Sequence, residues 1–169
     1  MERVRESFFD AADWKQRGLI DSAGQVEMLQ TLRDQCDAVE ECYEFMLAYA
    51  AQGLPADKGS SSGDKLRPLL ARASEALSNL PASYEAAIAQ SNLQPAAQHR
   101  AFLSVLRRDA GDALAAMELV AAQPAISSQL IDNLNASIHL RALLTDLFLI
   151  DEIAKQHQSS TDQATSAGF

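Results

Sequence analysis

Apolar residues recur along this chain at intervals of three and four, in four stretches separated by short polar or proline-containing breaks. The first row is Leu29, Leu32, Cys36, Val39, Tyr43, Met46 and Ala50, and the second is Leu66, Leu70, Ala73, Leu77, Leu80, Tyr84 and Ala87. The third is His99, Phe102, Leu106, Ala110, Ala113, Met117 and Val120. The fourth begins with Ile131, Leu134 and Ile138. Residues so spaced share one face of a helix, so each row predicts an inward seam of the bundle type. No stretch alternates with period two, and no strand is predicted.

The breaks set the helix limits. Ser22 with Gln25 reads as a capping box opening a helix over Ala23 to Gln52, ended by Gly53-Leu54-Pro55. Ala56 to Gly63 reads as a flexible surface loop, and Asp64 as the cap of a second helix with Pro68 in its first turn. Pro81 lies inside the second row, which predicts a kink near Ser78 rather than two helices. Asn92 to Pro95 and Gln123-Pro124 are turns, and a fourth helix is predicted from Ala125 to Lys155. Long helices joined by short connections imply antiparallel neighbours. The predicted fold is therefore all-α: an antiparallel, up-down four-helix bundle over residues 21–157. A short N-terminal helix over 1–20 carries Val4, Phe8, Phe9, Trp14 and Leu19, and the polar tail over 158–169 is expected to be disordered.

From Leu140 the fourth helix is apolar on most sides, with Leu143, Leu144, Leu147, Phe148, Leu149, Ile150 and Ile153. One seam does not use so many, so the surplus predicts a cover. That cover is either residues 1–20 or a second subunit, with Leu140, Leu143, Leu147, Phe148 and Ile150 as candidate interface residues. A homo-oligomer, in the first instance a dimer, is expected. The same run spans about 14 residues and is interrupted by Arg141, Thr145 and Asp146, where a membrane span takes roughly 20 apolar residues. No membrane association is expected.

Composition then narrows the partners. A formal charge of −9 argues against nucleic acid and anionic membranes, which are met by a basic surface. The first helix carries Glu27, Asp34, Asp37, Glu40, Glu41 and Glu44 against Arg33 alone. Such a helix is ordinarily a solvated face, and it could also steer a basic protein partner. The charged start Met1-Glu2-Arg3-Val4-Arg5-Glu6 has no apolar run after it, so no signal peptide is read. Cys36 and Cys42 lie six apart on one helix and are not expected to bridge, with Cys36 as a small core residue. These features fit a reducing cytoplasm.

The chemistry that bundles of this length carry can be tested on spacing. A di-iron centre takes Glu-x-x-His pairs, because residues three apart share a face and can hold one metal pair. The residues three before His99, His139 and His157 are Ala96, Ala136 and Ala154, so the motif is absent. Cys-x-x-Cys-His for covalent haem is absent too. Met46 and Met117 fit seam positions as ordinary core residues rather than haem ligands. No catalytic residue is assigned and no cofactor is expected.

One polar constellation remains. Asp132, His139 and Asp146 are spaced seven apart along the fourth helix. Carboxylates that could face them are Asp37, Glu40, Glu41 and Glu44 on the first helix, or Asp109 and Asp112 on the third. His139 with Asp132, Asp146 and Glu44 is the candidate metal set, for Fe, Mn or Zn. The plainer reading makes Asp132 a solvated helix-start residue, His139 a hydrogen-bonded histidine near the core, and Asp146 the partner of Arg100, Arg107 or Arg108.

The helix lengths, the loop Gly53-Leu54-Pro55-Ala56-Asp57-Lys58-Gly59 and the segment Ile138-His139-Leu140-Arg141-Ala142-Leu143-Leu144 resemble ferritin-like bundles, in particular divergent bacterioferritin-like proteins. The likeness covers residues 23–155. It implies a bacterial protein that kept the bundle and lost the ferroxidase site, since the Glu-x-x-His pairs are missing and no ligand residue carries over. Phasin-like and other helical scaffold proteins fit the same stripes. The expected function is that of a non-catalytic, cytoplasmic bundle acting through protein–protein contact; the rival is a metal-binding, ferritin-like protein with an unconventional site around His139.

Overall fold

The computed structural model describes residues 23–90 and 94–150. The helix expected over 1–20, the Ser22 cap and the tail over 158–169 lie outside those residues, as does the side chain of Leu29. Every regular element described is a helix: α1 over Ala23–Ala50, α2 over Ser61–Gln90, α3 over Ala96–Ala121, α4 over Ser128–Ala136, and α5 over 138–150. α1 packs on α2, α2 on α3, and α4 on both α1 and α3. Leu32 and Cys36 of α1, Leu80 and Tyr84 of α2, Leu106 of α3 and Leu147 and Ile150 of α5 surround one small apolar void, so all four arms meet there.

The second seam is buried at every position, Leu66, Leu70, Ala73, Leu77, Leu80, Tyr84 and Ala87, and α2 runs unbroken through Pro68 and Pro81. In α1 the inward face turns slightly from the expected row. Cys42 and Tyr49 take core positions while Tyr43 and Ala50 are half-buried. Both cysteines are buried, and burial, with Glu41 nearby, pushes the Cys42 thiol up to about 12. Met46 and Met117 are core residues.

Two departures from the expected limits matter for the packing, while α1 ends two residues early, at Ala50, and α4 begins three residues late, at Ser128. Helix α2 begins at Ser61, three residues before Asp64, because Ser60 caps it: its hydroxyl accepts from the Gly63 N–H at 2.9 Å. The larger difference is in the fourth arm. Ser127 caps α4 through the Leu130 N–H, and Ser137 leaves the helix with ψ 141°. Ser137 then caps α5, its hydroxyl accepting from the Leu140 N–H. One extended residue shifts the register, so Leu140, Leu143, Leu144 and Leu147 turn inward and Ile138, expected in the seam, turns out.

The segment 56–63, expected to be a flexible surface loop, is instead fastened by a buried polar clasp. Asp57 is 3% exposed; its Oδ2 accepts from Arg67 Nε at 2.6 Å and its Oδ1 from the Ile126 N–H at 2.8 Å. Arg67 also donates to the carbonyls of Ala121 and Gln123, at 2.8 and 2.9 Å. Tyr49 donates to the Ile126 carbonyl, and the Ser128 hydroxyl donates to the Tyr49 carbonyl and accepts from the Leu54 N–H. The turn into α2 and the turn from α3 to α4 are thereby tied together. Gly63 is the one residue that fits its place, since a Cβ there would stand 1.6 Å from the Asp57 carbonyl oxygen.

Candidate functional site

The candidate metal residues do not converge. Asp132 is exposed on α4, beside an open cleft formed with Leu54, Pro55 and Gln129. Glu44 is exposed on α1. His139 is on the far side of the break from Asp132; its Nδ1 lies 3.8 Å from Asp112 Oδ2, with both side chains about half exposed. Among the described residues no three His, Cys, Asp or Glu side chains are grouped as metal ligands. The seven-residue spacing aligned Asp132 with His139 only for a continuous helix, and Ser137 interrupts it. His99 bonds the Tyr84 hydroxyl through Nδ1 at 2.8 Å, a structural role.

Asp146 is 8% exposed, on the side of α5 that meets α3. Its partner is not an arginine: Arg107 pairs with Glu85 on α2, and Asp146 meets the Asp109 carboxyl. Two carboxyls in hydrogen-bond contact share a proton. Burial, the hydrogen bond that protonated Asp146 donates to the Asp109 carboxylate, and the Asp109 charge together push Asp146 up to about 6. Among the described residues its buried Oδ2 meets no N–H or hydroxyl donor, and neither amide atom of the buried Asn135 on α4 has a hydrogen-bond partner.

The candidate interface residues divide. Leu140, Leu143 and Leu147 belong to the core, and Ile150 packs partly against it. Most of the apolar surplus is therefore absorbed within the chain, which corrects the expectation that these leucines face a partner. Phe148 remains, 55% exposed, and is joined by two residues the expected set did not include: Leu149 at 46% and Ile138 at 75%. Leu119 of α3, 67% exposed, was also not singled out. At the clasp, burial works against the charge of Asp57, yet the hydrogen bonds from Arg67 and the Ile126 amide outweigh it and hold its carboxyl below the ordinary range.

On α1 the acidic residues Asp34, Asp37, Glu41 and Glu44 are exposed in one 3-4-3 row. It is partly neutralised, Asp37 by Arg33 at 3.9 Å and Glu41 by Arg72 at 2.5 Å. Among the described residues no helix is long and apolar enough to cross a membrane. No family model, no curated protein and no solved structure matches the chain.

Proposed function

We propose that this is a non-catalytic, cytoplasmic helical protein that acts by protein–protein contact, as a homodimer in the first instance. In this reading α1, α2, α3 and the tandem α4–α5 arm form an antiparallel, up-down four-helix bundle of the ferritin-like type, without ferroxidase activity. The supporting observation is the outward apolar surface of α5, where Ile138, Phe148 and Leu149 are exposed on a helix whose opposite side already fills the core. Large apolar side chains left on the outer side of a helix lose favourable free energy in water, at about 25 cal/mol per Å², until something covers them. The acidic row on α1 is a second surface, suited to a basic protein.

The test is mass in solution. Light scattering and sedimentation of the full chain across a dilution series are expected to show a concentration-dependent dimer. A monomer that persists to the highest soluble concentration removes this reading.

A further inference from the structure

The break at Ser137 leaves α5 with two seams on opposite faces. The inward one is Leu140, Leu143, Leu144 and Leu147. At about 100° per residue, Ile138, Ala142, Thr145 and Leu149 form an outward row with 4-3-4 spacing. Ala136, Ile138, Arg141, Ala142, Thr145 and Asp146 shape an open cleft along that row. Arg141 and Phe148, both exposed, flank it on one side within about 20° of each other. The Arg141 guanidinium has no ion pair among the described residues.

We propose that this outward row is where a second copy of the chain docks, α5 against α5 in antiparallel sense. The proposal rests on the reading of the protein as one that acts by contact, and names its surface. A two-fold interface must be complementary to itself, and the row has that property. With the axis between positions 143 and 144, Ile138 stands opposite the partner's Leu149, and Ala142 opposite the partner's Thr145. The small middle pair lets the two helices approach. Reversal about such an axis keeps each flank on its own side, so Arg141 comes within two residues, about 3 Å along the helix, of the partner's Phe148. A guanidinium near an aromatic face is a favourable contact. A parallel two-fold would carry Arg141 and the partner's Phe148 to opposite flanks, so only the antiparallel sense brings them side by side. A helix from an unrelated protein requires no such internal symmetry.

The experiment measures the mass of full-length variants by sedimentation, with circular dichroism to confirm folding. Ile138→Glu and Leu149→Glu, at exposed positions, are expected to keep full helicity and weaken the dimer by at least about tenfold, the scale of one buried leucine. Arg141→Glu and Phe148→Ala are expected to weaken it less. Mixing an Ala142→Cys variant with a Thr145→Cys variant under mild oxidation is expected to give a cross-linked pair; cross-linking of Ala142→Cys with itself in preference overturns the antiparallel register. A dimer that survives both glutamates but is lost in Leu119→Glu overturns this surface and leaves the contact reading standing. A monomer at every concentration removes both. A monomer in which Leu149→Glu shifts the emission of Trp14, the single tryptophan, assigns the row to residues 1–22 instead and overturns the proposal.

Discussion

The end of the molecule around Asp57 and the outer arm around Asp146 both bury carboxylates, and they treat them in opposite ways. Asp57 has a guanidinium on one oxygen and a backbone N–H on the other, and Arg67 also donates to the carbonyls of Ala121 and Gln123 where α3 ends. Asp146 has another carboxyl for company, and Asn135 nearby along the chain has no amide partner among the described residues. A completed polar network fixes one arrangement of the chain, because any slip leaves charges buried and unpaired. An incomplete one fixes little. The clasp is therefore the part that specifies the fold, and the α4–α5 arm is the part left with surface and polarity to spare.

The sharpest way to break the contrast is at the clasp. Arg67→Ala leaves the Asp57 carboxylate buried without its cation and frees the Ala121 and Gln123 carbonyls. The expected loss is about 3 kcal/mol of stability, read by urea unfolding. A loss under about 1 kcal/mol would mean that the clasp is no more than a surface ion pair.

The arm is expected to respond with the opposite sign. Asn135→Leu replaces two unbonded amide atoms with apolar ones and is expected to stabilise by about 1 kcal/mol. Urea unfolding in which this variant is clearly weaker than the parent would show that Asn135 has a partner in solution, and the arm would then resemble the clasp.

The two carboxylates also predict opposite pH behaviour. Asp57 is held below the ordinary range, so the folded chain binds its proton less tightly than the unfolded one. Its contribution is present above that range and lost as pH falls through its folded value. Asp146 is raised from 3.8 to about 6, so its contribution is present below 3.8 and lost as pH rises through 6. Asp146→Asn is expected to raise stability at pH 7 by about 1 kcal/mol, after allowing for the water that screens the half-buried Asp109. Amide exchange followed from pH 4 to 8 should show α5 loosening with rising pH while the 126–128 turn does not. Parallel trends at the two ends would contradict the assignment.

The seams were legible because burial repeats with the helix. The α2 row needed no correction. In α1 the three-and-four spacing could not choose between Cys42 and Tyr43, or between Tyr49 and Ala50, which are adjacent at the edge of the same face. Tyr49 goes inward because the Ile126 carbonyl, distant in sequence, accepts a hydrogen bond from its hydroxyl. The helix break was hidden because Ile138 continues the row of Ile131 and Leu134; the readable signal was Ser137 three residues before an inward leucine, the same cap pattern as Ser127 and Leu130. The clasp was not legible at all. Asp57 and Arg67 sit ten apart across a polar stretch whose composition reads as solvated, and their remaining partners come from a turn more than fifty residues on. The candidate metal set failed to assemble for a related reason: heptad spacing carries positional meaning only while the helix is continuous.

The smallest expected effect lies at the edge of the arm. His139 and Asp112 are 3.8 Å apart and both about half exposed, and such pairs contribute on the order of 0.5 kcal/mol or less. His139→Ala is therefore expected to leave unfolding unchanged within that margin near neutral pH. It also separates the arm's two uses. Protein purified without chelator and assayed for Fe, Mn and Zn is expected to give the same metal content with and without the imidazole, because Asp132 and Glu44 lie on other elements and do not join it. A stoichiometric metal lost with His139→Ala would place a ligand site on the side of α5 that faces α3. The outward row, on another side of the same helix, would keep its own test.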